Sequence, residues 1–325
     1  MTDTPVLVVG GAGYIGSHVT LELIKGGREV VVVDDLSTGR RDLVPAGASF
    51  IQGDIGDSEL IRRVLAERGC ASIMMFAGSI IVSESFQMPL PYWRNNIGAG
   101  FAFLDACVKA GVRHFVYSST AAVYGAPDRL PISEDAALRP ISPYGRSKLA
   151  LEWAVADACS VGDMRFAALR YFNVAGADAQ GRSGQVSPVA SHLIKIAVEA
   201  ATGKRPGLSI HGADYPTPDG TCIRDYIHVS DLAEAHVLAL GHLERGGESL
   251  IANCGYGRGF SVRDVLEAVQ RVAGRELAIA IGPRRRGDPP ALVADSTLLT
   301  RVLGWTPKRN DLDLIIRSAL DWEAR

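Results

Sequence analysis

No apolar run in this 325-residue chain is long enough to span a bilayer, which removes a helical membrane protein from consideration. Five cysteines (Cys70, Cys107, Cys159, Cys222 and Cys254) are odd in number, scattered and without a C-x-x-C spacing. They read as reduced thiols, mostly small core residues, and exclude a disulfide framework. Seven histidines show no metal-ligand spacing, so no metal is expected. Charge of one sign is missing too: 34 Lys and Arg against 36 Asp and Glu leave a net −2, with no electrostatic case for nucleic acid or an anionic membrane. The opening residues lack a basic region followed by an apolar one, the mark of a secretory signal. A cytoplasmic location is the expectation. No repeat or low-complexity tract interrupts a composition that is 47% hydrophobic and 22% charged, enough to bury a full core in one large or two unequal domains.

What is present begins at Val6-Leu7-Val8-Val9, a β-branched run that predicts a buried parallel strand. It feeds Gly10-Gly11-Ala12-Gly13-Tyr14-Ile15-Gly16, where Gly11, Gly13 and Gly16 satisfy G-x-G-x-x-G, and a helix follows to Gly26-Gly27. Strand, glycine turn and helix in this order let a dinucleotide pyrophosphate approach a helix N-terminus. The next strand, Val30 to Val33, ends in Asp34-Asp35, 18 residues past Gly16. An acid there suits an adenosine ribose and repels a 2′-phosphate, favouring NAD over NADP, with Arg40 and Arg41 as the counter-evidence. Further strands are predicted at 49–52, 71–76, 114–117 and 165–170, and helices at 58–68 and 97–110. The alternation implies an α/β class, a Rossmann-type doubly wound parallel sheet. Polar clusters then fall at the C-terminal strand ends, where such folds bind ligands.

One pair of stretches organises the chemistry: Ser118-Ser119-Thr120-Ala121-Ala122-Val123-Tyr124-Gly125, and Ser142-Pro143-Tyr144-Gly145-Arg146-Ser147-Lys148. Ser142 suits an N-cap and Pro143 the first helical position, so Tyr144 and Lys148 share one helix face. Tyrosine ionises near pH 10, so acting near pH 7 needs about three units, or roughly 4 kcal/mol. An ammonium about 4 Å away supplies roughly 4 kcal/mol at an effective dielectric of about 20. Lys148 is therefore expected to help keep Tyr144 acidic; desolvation pushes the other way, so a second positive charge would help, and an oxidised nicotinamide ring would provide one. After Asn173 the chain changes character, with Gly-rich loops at 175–188 and 211–222. Helices are expected at 189–202, from a Ser230 cap to Leu243, after a capping box at Ser261–Asp264, and from Asp311.

These stretches, with Arg170-Tyr171-Phe172-Asn173, the segment Asp214 to Val229 and Pro283-Arg284-Arg285-Arg286-Gly287-Asp288, resemble the extended short-chain dehydrogenase/reductase family, in its UDP-glucose 4-epimerase branch, over essentially the full length. The resemblance implies that Thr120, Tyr144 and Lys148 form the catalytic group. It implies NAD at Gly10, Gly13, Tyr14, Ile15, Gly16, Asp34, Asp54, Ile55, Phe76, Ala77, Gly78 and Phe172, together with Tyr144 and Lys148. Besides Thr120 and Tyr144, Asn173, His192, Arg224, Arg285 and Asp288 fall where members hold the nucleotide diphosphate, and Leu292 where they gate the sugar's 2-position; Arg284 and Arg286 are left as solvated charges. Residues 1–173 would form the NAD-binding domain, with later segments able to return to it, and 174–325 a smaller UDP-sugar domain. The implied activity is interconversion of UDP-glucose and UDP-galactose through a 4-keto sugar, by a homodimer whose partner is a UDP-hexose. The chain departs from the family at Ile80, where several members place a lysine against the cofactor ribose. A 4,6-dehydratase would need an acid–base pair at Ala121 and Ala122, which transfer no proton. A non-catalytic NAD sensor would not need Tyr144 and Lys148.

Overall fold

A computed structural model describes residues 4–186 and 191–325. The first half alternates as the hydrophobic pattern requires: β1 (Val6–Val9), α1 (Tyr14–Lys25), β2 (Val30–Asp34), β3 (Ala48–Gln52), α2 (Ser58–Arg68) and β4 (Ser72–Met75). Helices α3 (Val82–Gln87), α4 (Pro89–Trp93) and α5 (Gly100–Lys109) follow, then β5 (His114–Thr120), α6 (Pro143–Ser160) and β6 (Arg165–Tyr171). Beyond lie β7 (Asn173–Ala175), α7 (Leu193–Ala201), β8 (Leu208–His211), β9 (Ile223–His228), α8 (Val229–Glu244), β10 (Leu250–Cys254) and β11 (Gly259–Ser261). The chain closes with α9 (Val262–Ala273), β12 (Ile279–Gly282), β13 (Ala291–Leu292), α10 (Thr297–Leu303) and α11 (Leu312–Glu323).

Seven parallel strands form the main sheet in the order β10-β6-β5-β4-β1-β2-β3. Both its faces are apolar: Val6, Val8, Val30 and Val32 pack towards α1 and α8, and Leu7, Val9, Val31 and Val33 towards the face of α2 and α5. Unbroken valine runs are what a strand buried on both faces requires. The edge strand β10 and helix α8 come from far beyond Asn173 and complete this layer. A second core unites α7, α9 and α11, beside a sheet of β11-β9-β13 with β7 paired to β9. Helix α9 keeps the expected capping box, Ser261 Oγ accepting from Asp264 N at 3.0 Å and Asp264 returning the bond at 2.8 Å.

Four expectations change. Strand β5 runs through Thr120, so Ser118, Ser119 and Thr120 are strand residues held in register against Leu169, Arg170 and Tyr171 rather than loop. The expected helix at 97–110 is the end of a longer helical run from Pro89, broken by a wide π turn at Arg94–Ala99 that carries buried Asn96. Helix α8 starts two residues early: His228, not Ser230, is its cap, and its Nδ1 accepts from Ser230 N at 3.1 Å. Helix α7 begins at Leu193; residues 189 and 190 of its expected start lie outside the described residues.

Candidate active site

The turn after β1 shows why glycine stands at two places. Gly10 has φ +79°, and a Cβ there would meet the Ala77 backbone nitrogen at 2.5 Å. A Cβ on Gly16 would collide with the Gly10 carbonyl. The strand end, the turn and the first turn of α1 thus lie backbone to backbone, and Gly13, the N-cap, contributes no side chain to the helix end. The amides of that first turn are left for an anion. Beside them Asp34 accepts from Ala12 N and Leu36 N, each at 2.9 Å, and Leu36 adopts φ +62° to reach it. Burial pushes the Asp34 carboxyl up, while those two amides draw it down. Asp34 lines the cavity. Arg40 is bound to Asp42, and Arg41 lies 4.5 Å over the ring of Phe50. Close backbone approach, open helix amides and an oriented carboxylate fit a dinucleotide with two free ribose hydroxyls.

One cavity of about 890 Å³ opens from this turn along the C-terminal edge of the sheet. Every expected site residue lines it except Lys148. Asp54, Ile55, Phe76, Ala77 and Gly78 sit at the ends of β3 and β4, Thr120 at the end of β5, Tyr144 in the first turn of α6, and Phe172 and Asn173 after β6. His192, Arg224, Arg285, Asp288 and Leu292 form the far wall. Ser142 caps α6 through Gly145 N at 3.0 Å, which fixes the turn that carries Tyr144.

Burial raises the Tyr144 pKa and the Thr120 hydroxyl lowers it, and burial wins. Lys148 lies behind, fully enclosed. Its Nζ donates to the Ser118 carbonyl at 2.6 Å and stands 4.4 Å over the Tyr117 ring. Burial pulls its pKa down to about 7 against the raising influence of Glu152. Desolvation pushes against Tyr144 acidity, as expected, and it is the largest influence on the hydroxyl. Acidity at Tyr144 needs a further positive charge in the cavity.

On the far wall Arg224 lies 3.6 Å from Asp288 and donates to the Ile223 carbonyl at 2.8 Å. Arg285 donates to the Ser191 carbonyl at 3.4 Å. The His192 Nδ1 meets the Gln185 amide at 2.8 Å, and burial followed by Arg285 keeps this imidazole neutral. Leu292 pairs with Arg224 across β13 and β9, which sets it beside the cations. Arg284 and Arg286 are both exposed, as the solvated reading has them: Arg284 binds Asp214 at 2.7 Å and stacks on Tyr215, and Arg286 stacks on Phe86.

Sequence reasoning missed Asn96, which accepts from Ser79 N at 2.7 Å and donates to Ser79 O and Ser147 Oγ at 3.1 and 2.9 Å. It ties the loop after β4 to α6. The visible signal was a polar Asn95-Asn96 pair inside an otherwise apolar helical stretch. It also missed Glu152 and Arg170, a buried ion pair one turn beyond Lys148.

A family model for the NAD dependent epimerase/dehydratase family matches residues 6–255. The chain is 56% identical to the UDP-glucose 4-epimerase of Azospirillum brasilense over 98% of its own length and 91% of that protein's. Its structure superposes on the UDP-glucose 4-epimerase from Brucella ovis in complex with NAD with a TM-score of 0.95, at 45% identity, covering 99% and 98% of the two chains. The UDP-Glc/GlcNAc 4-epimerase of Campylobacter jejuni superposes with a TM-score of 0.85 at 43% identity, over 98% and 99%.

Proposed function

We propose that this chain, which belongs to the NAD dependent epimerase/dehydratase family, interconverts UDP-glucose and UDP-galactose by oxidation and re-reduction at C4. The observation that carries the reading is one cavity that holds the Thr120–Tyr144 pair midway between a dinucleotide cradle and a cationic wall. Residues 1–173, joined by β10 and α8, hold the cofactor, and the remainder holds the nucleotide sugar.

When bound, NAD supplies the hydride acceptor and donor, and in its oxidised form a positive ring. Thr120 orients the 4-hydroxyl of the sugar, and Tyr144 takes its proton as C4 is oxidised. Lys148, anchored on the Ser118 carbonyl, supports negative charge on Tyr144 without itself entering the cavity. Tyr144 returns the proton after reduction on the opposite face. Arg224 and Arg285 hold the diphosphate, for which planar multi-donor cations suit. The sugar beyond them meets apolar Leu292, Ile81 and Val82, a wall that leaves the 4-keto sugar able to turn over. Conversion of UDP-galactose, read by a coupled UDP-glucose dehydrogenase, tests the reading; protein carrying NAD that leaves UDP-galactose unchanged would overturn it.

Leu292 favours a second, weaker activity. It is shorter than tyrosine and leaves room at the sugar's 2-position, but an acetamido group there faces an apolar wall. An unpaired buried amide costs about 1–3 kcal/mol, so kcat/KM for UDP-N-acetylglucosamine is expected roughly ten- to a hundredfold below that for UDP-glucose. The Campylobacter protein, named for both substrates, supports the reading. Leu292→Tyr should abolish the N-acetyl reaction and spare the other. N-acetyl turnover absent in wild type, and not created by Leu292→Ala, would place the gate elsewhere.

A homodimer and a cytoplasmic location belong to the same proposal. Leu90 (71% exposed), Phe101 (46%), Val108 (48%) and Trp153 (56%) stand out on α4, α5 and α6, more apolar surface than helices facing water retain. Light scattering at micromolar concentration is expected to give twice the chain mass, and Trp153→Glu half of that; a monomeric wild type would refute the pairing. No helix among the described residues is long and apolar enough to cross a membrane, and all five cysteines are free, which supports a reducing compartment.

A further inference from the structure

Three arginines stand in a row at 284–286, and the structure gives each a different fate. Arg284 is spent on Asp214 and the Tyr215 ring. Arg285 reaches inward to the Ser191 carbonyl. Arg286 lines the cavity, has no carboxylate partner among the described residues, and lies 4.7 Å over the ring of Phe86. Phe86 belongs to α3, on the cofactor side of the cleft, and Arg286 to the far wall, so this contact crosses the mouth of the cavity. The ring also fills the space beside Gly287, where a Cβ would lie 2.6 Å from it.

A nucleoside diphosphate sugar carries two negative charges, one on each phosphate. On the far wall Arg224 and Arg285 face one carboxylate, Asp288, 3.6 Å from Arg224. Arg205 is neutralised by Glu199 at 2.8 Å, and both His192 and His211 are driven neutral by burial and by Arg285. Two guanidiniums against one carboxylate leave a single positive charge, one short of the ligand's. Adding Arg286 makes the balance complete. We propose that Arg286 is a third cation for the diphosphate, held at the cavity mouth by stacking on Phe86, which acts as its positioning residue. This rests on the nucleotide-sugar reading above. A guanidinium stacked on an aromatic face keeps its charge and its in-plane donors, since the ring takes only the face. A carboxylate partner in place of Phe86 would have cancelled the charge.

Calorimetric titration with UDP, UMP and uridine tests the assignment. Arg286→Gln should raise the Kd for UDP about tenfold, that for UMP less, and that for uridine not at all, while KM for UDP-galactose rises and kcat falls by less than threefold. Phe86→Leu should weaken UDP about threefold, and Phe86→Trp should restore wild-type affinity. Equal weakening of all three ligands would mean that Arg286 only supports the fold, and unchanged UDP affinity would mean that it never meets the diphosphate; either result overturns the proposal. Wild-type protein that binds no UDP would overturn the nucleotide-sugar reading itself, and this assignment with it.

Discussion

Tyr144→Phe is expected to lower kcat for UDP-galactose by about a thousandfold and to leave KM within a few-fold of wild type. The substitution removes one oxygen from a ring that is 6% exposed, so packing is kept and only the proton acceptor is lost. General acid–base groups contribute about a hundred- to ten-thousandfold, and no neighbour can replace this one. Thr120 ionises far too high to serve, and Lys148 is turned away onto the Ser118 carbonyl, outside the cavity wall. The comparison with Lys148→Met separates the two roles. Lys148 acts on the charge of Tyr144 and not on the sugar, so its loss should move the pH dependence of kcat as well as its height. A Tyr144→Phe enzyme within tenfold of wild type would remove the tyrosine from the proton path.

The parts of this site that could be read in the chain are those set by neighbours within one turn or one strand. The glycine turn, the Ser142 cap and the four-residue spacing of Tyr144 and Lys148 depend on local backbone, and the structure keeps them. What was illegible depends on groups far apart in sequence. The direction of the Lys148 ammonium is set by Ser118 and Tyr117, 30 and 31 residues earlier. Arg286 looks like any solvated arginine until α3 brings Phe86 beneath it, 200 residues away. Strand β10 could not be assigned to the main sheet from its residues, because its partner β6 lies about eighty residues upstream. The opposition between desolvation and charge at Tyr144 was legible in the residue types, but its balance was not, because burial of the ring depends on the whole cavity.

Glu152→Ala is expected to cost about 3–5 kcal/mol of stability, the toll of leaving a buried charge without its partner. Glu152 is 1% exposed and Arg170 3%. The carboxylate takes both Arg170 Nε, at 3.2 Å, and Nη2, and accepts from Ser119 Oγ at 2.6 Å. Arg170 Nη1 donates onward to the Tyr124 hydroxyl at 2.9 Å, which donates to Asn253 Oδ1 at 2.7 Å. Asn253 in turn donates its backbone N–H to Glu134 Oε1 at 2.8 Å. The chain of bonds stitches α6 to β5, β6 and the returning strand β10, beneath the residues that carry the chemistry. With Glu152 gone, the remaining partners of Arg170 are the neutral Tyr124 hydroxyl and the Glu134 carbonyl, and neither offsets a full charge. Urea unfolding should show the loss as a lower midpoint at an unchanged slope. The double variant Glu152→Leu with Arg170→Met removes both charges and should recover most of that loss, because it is the orphaned cation and not the missing attraction that is expensive. Its activity is the sharper readout: Ser119 loses its acceptor and the end of β5 one of its ties to α6, so kcat should stay depressed while stability returns. A Glu152→Ala protein within about 1 kcal/mol of wild type would show instead that water reaches Arg170 and that this network does not hold the catalytic strand in place.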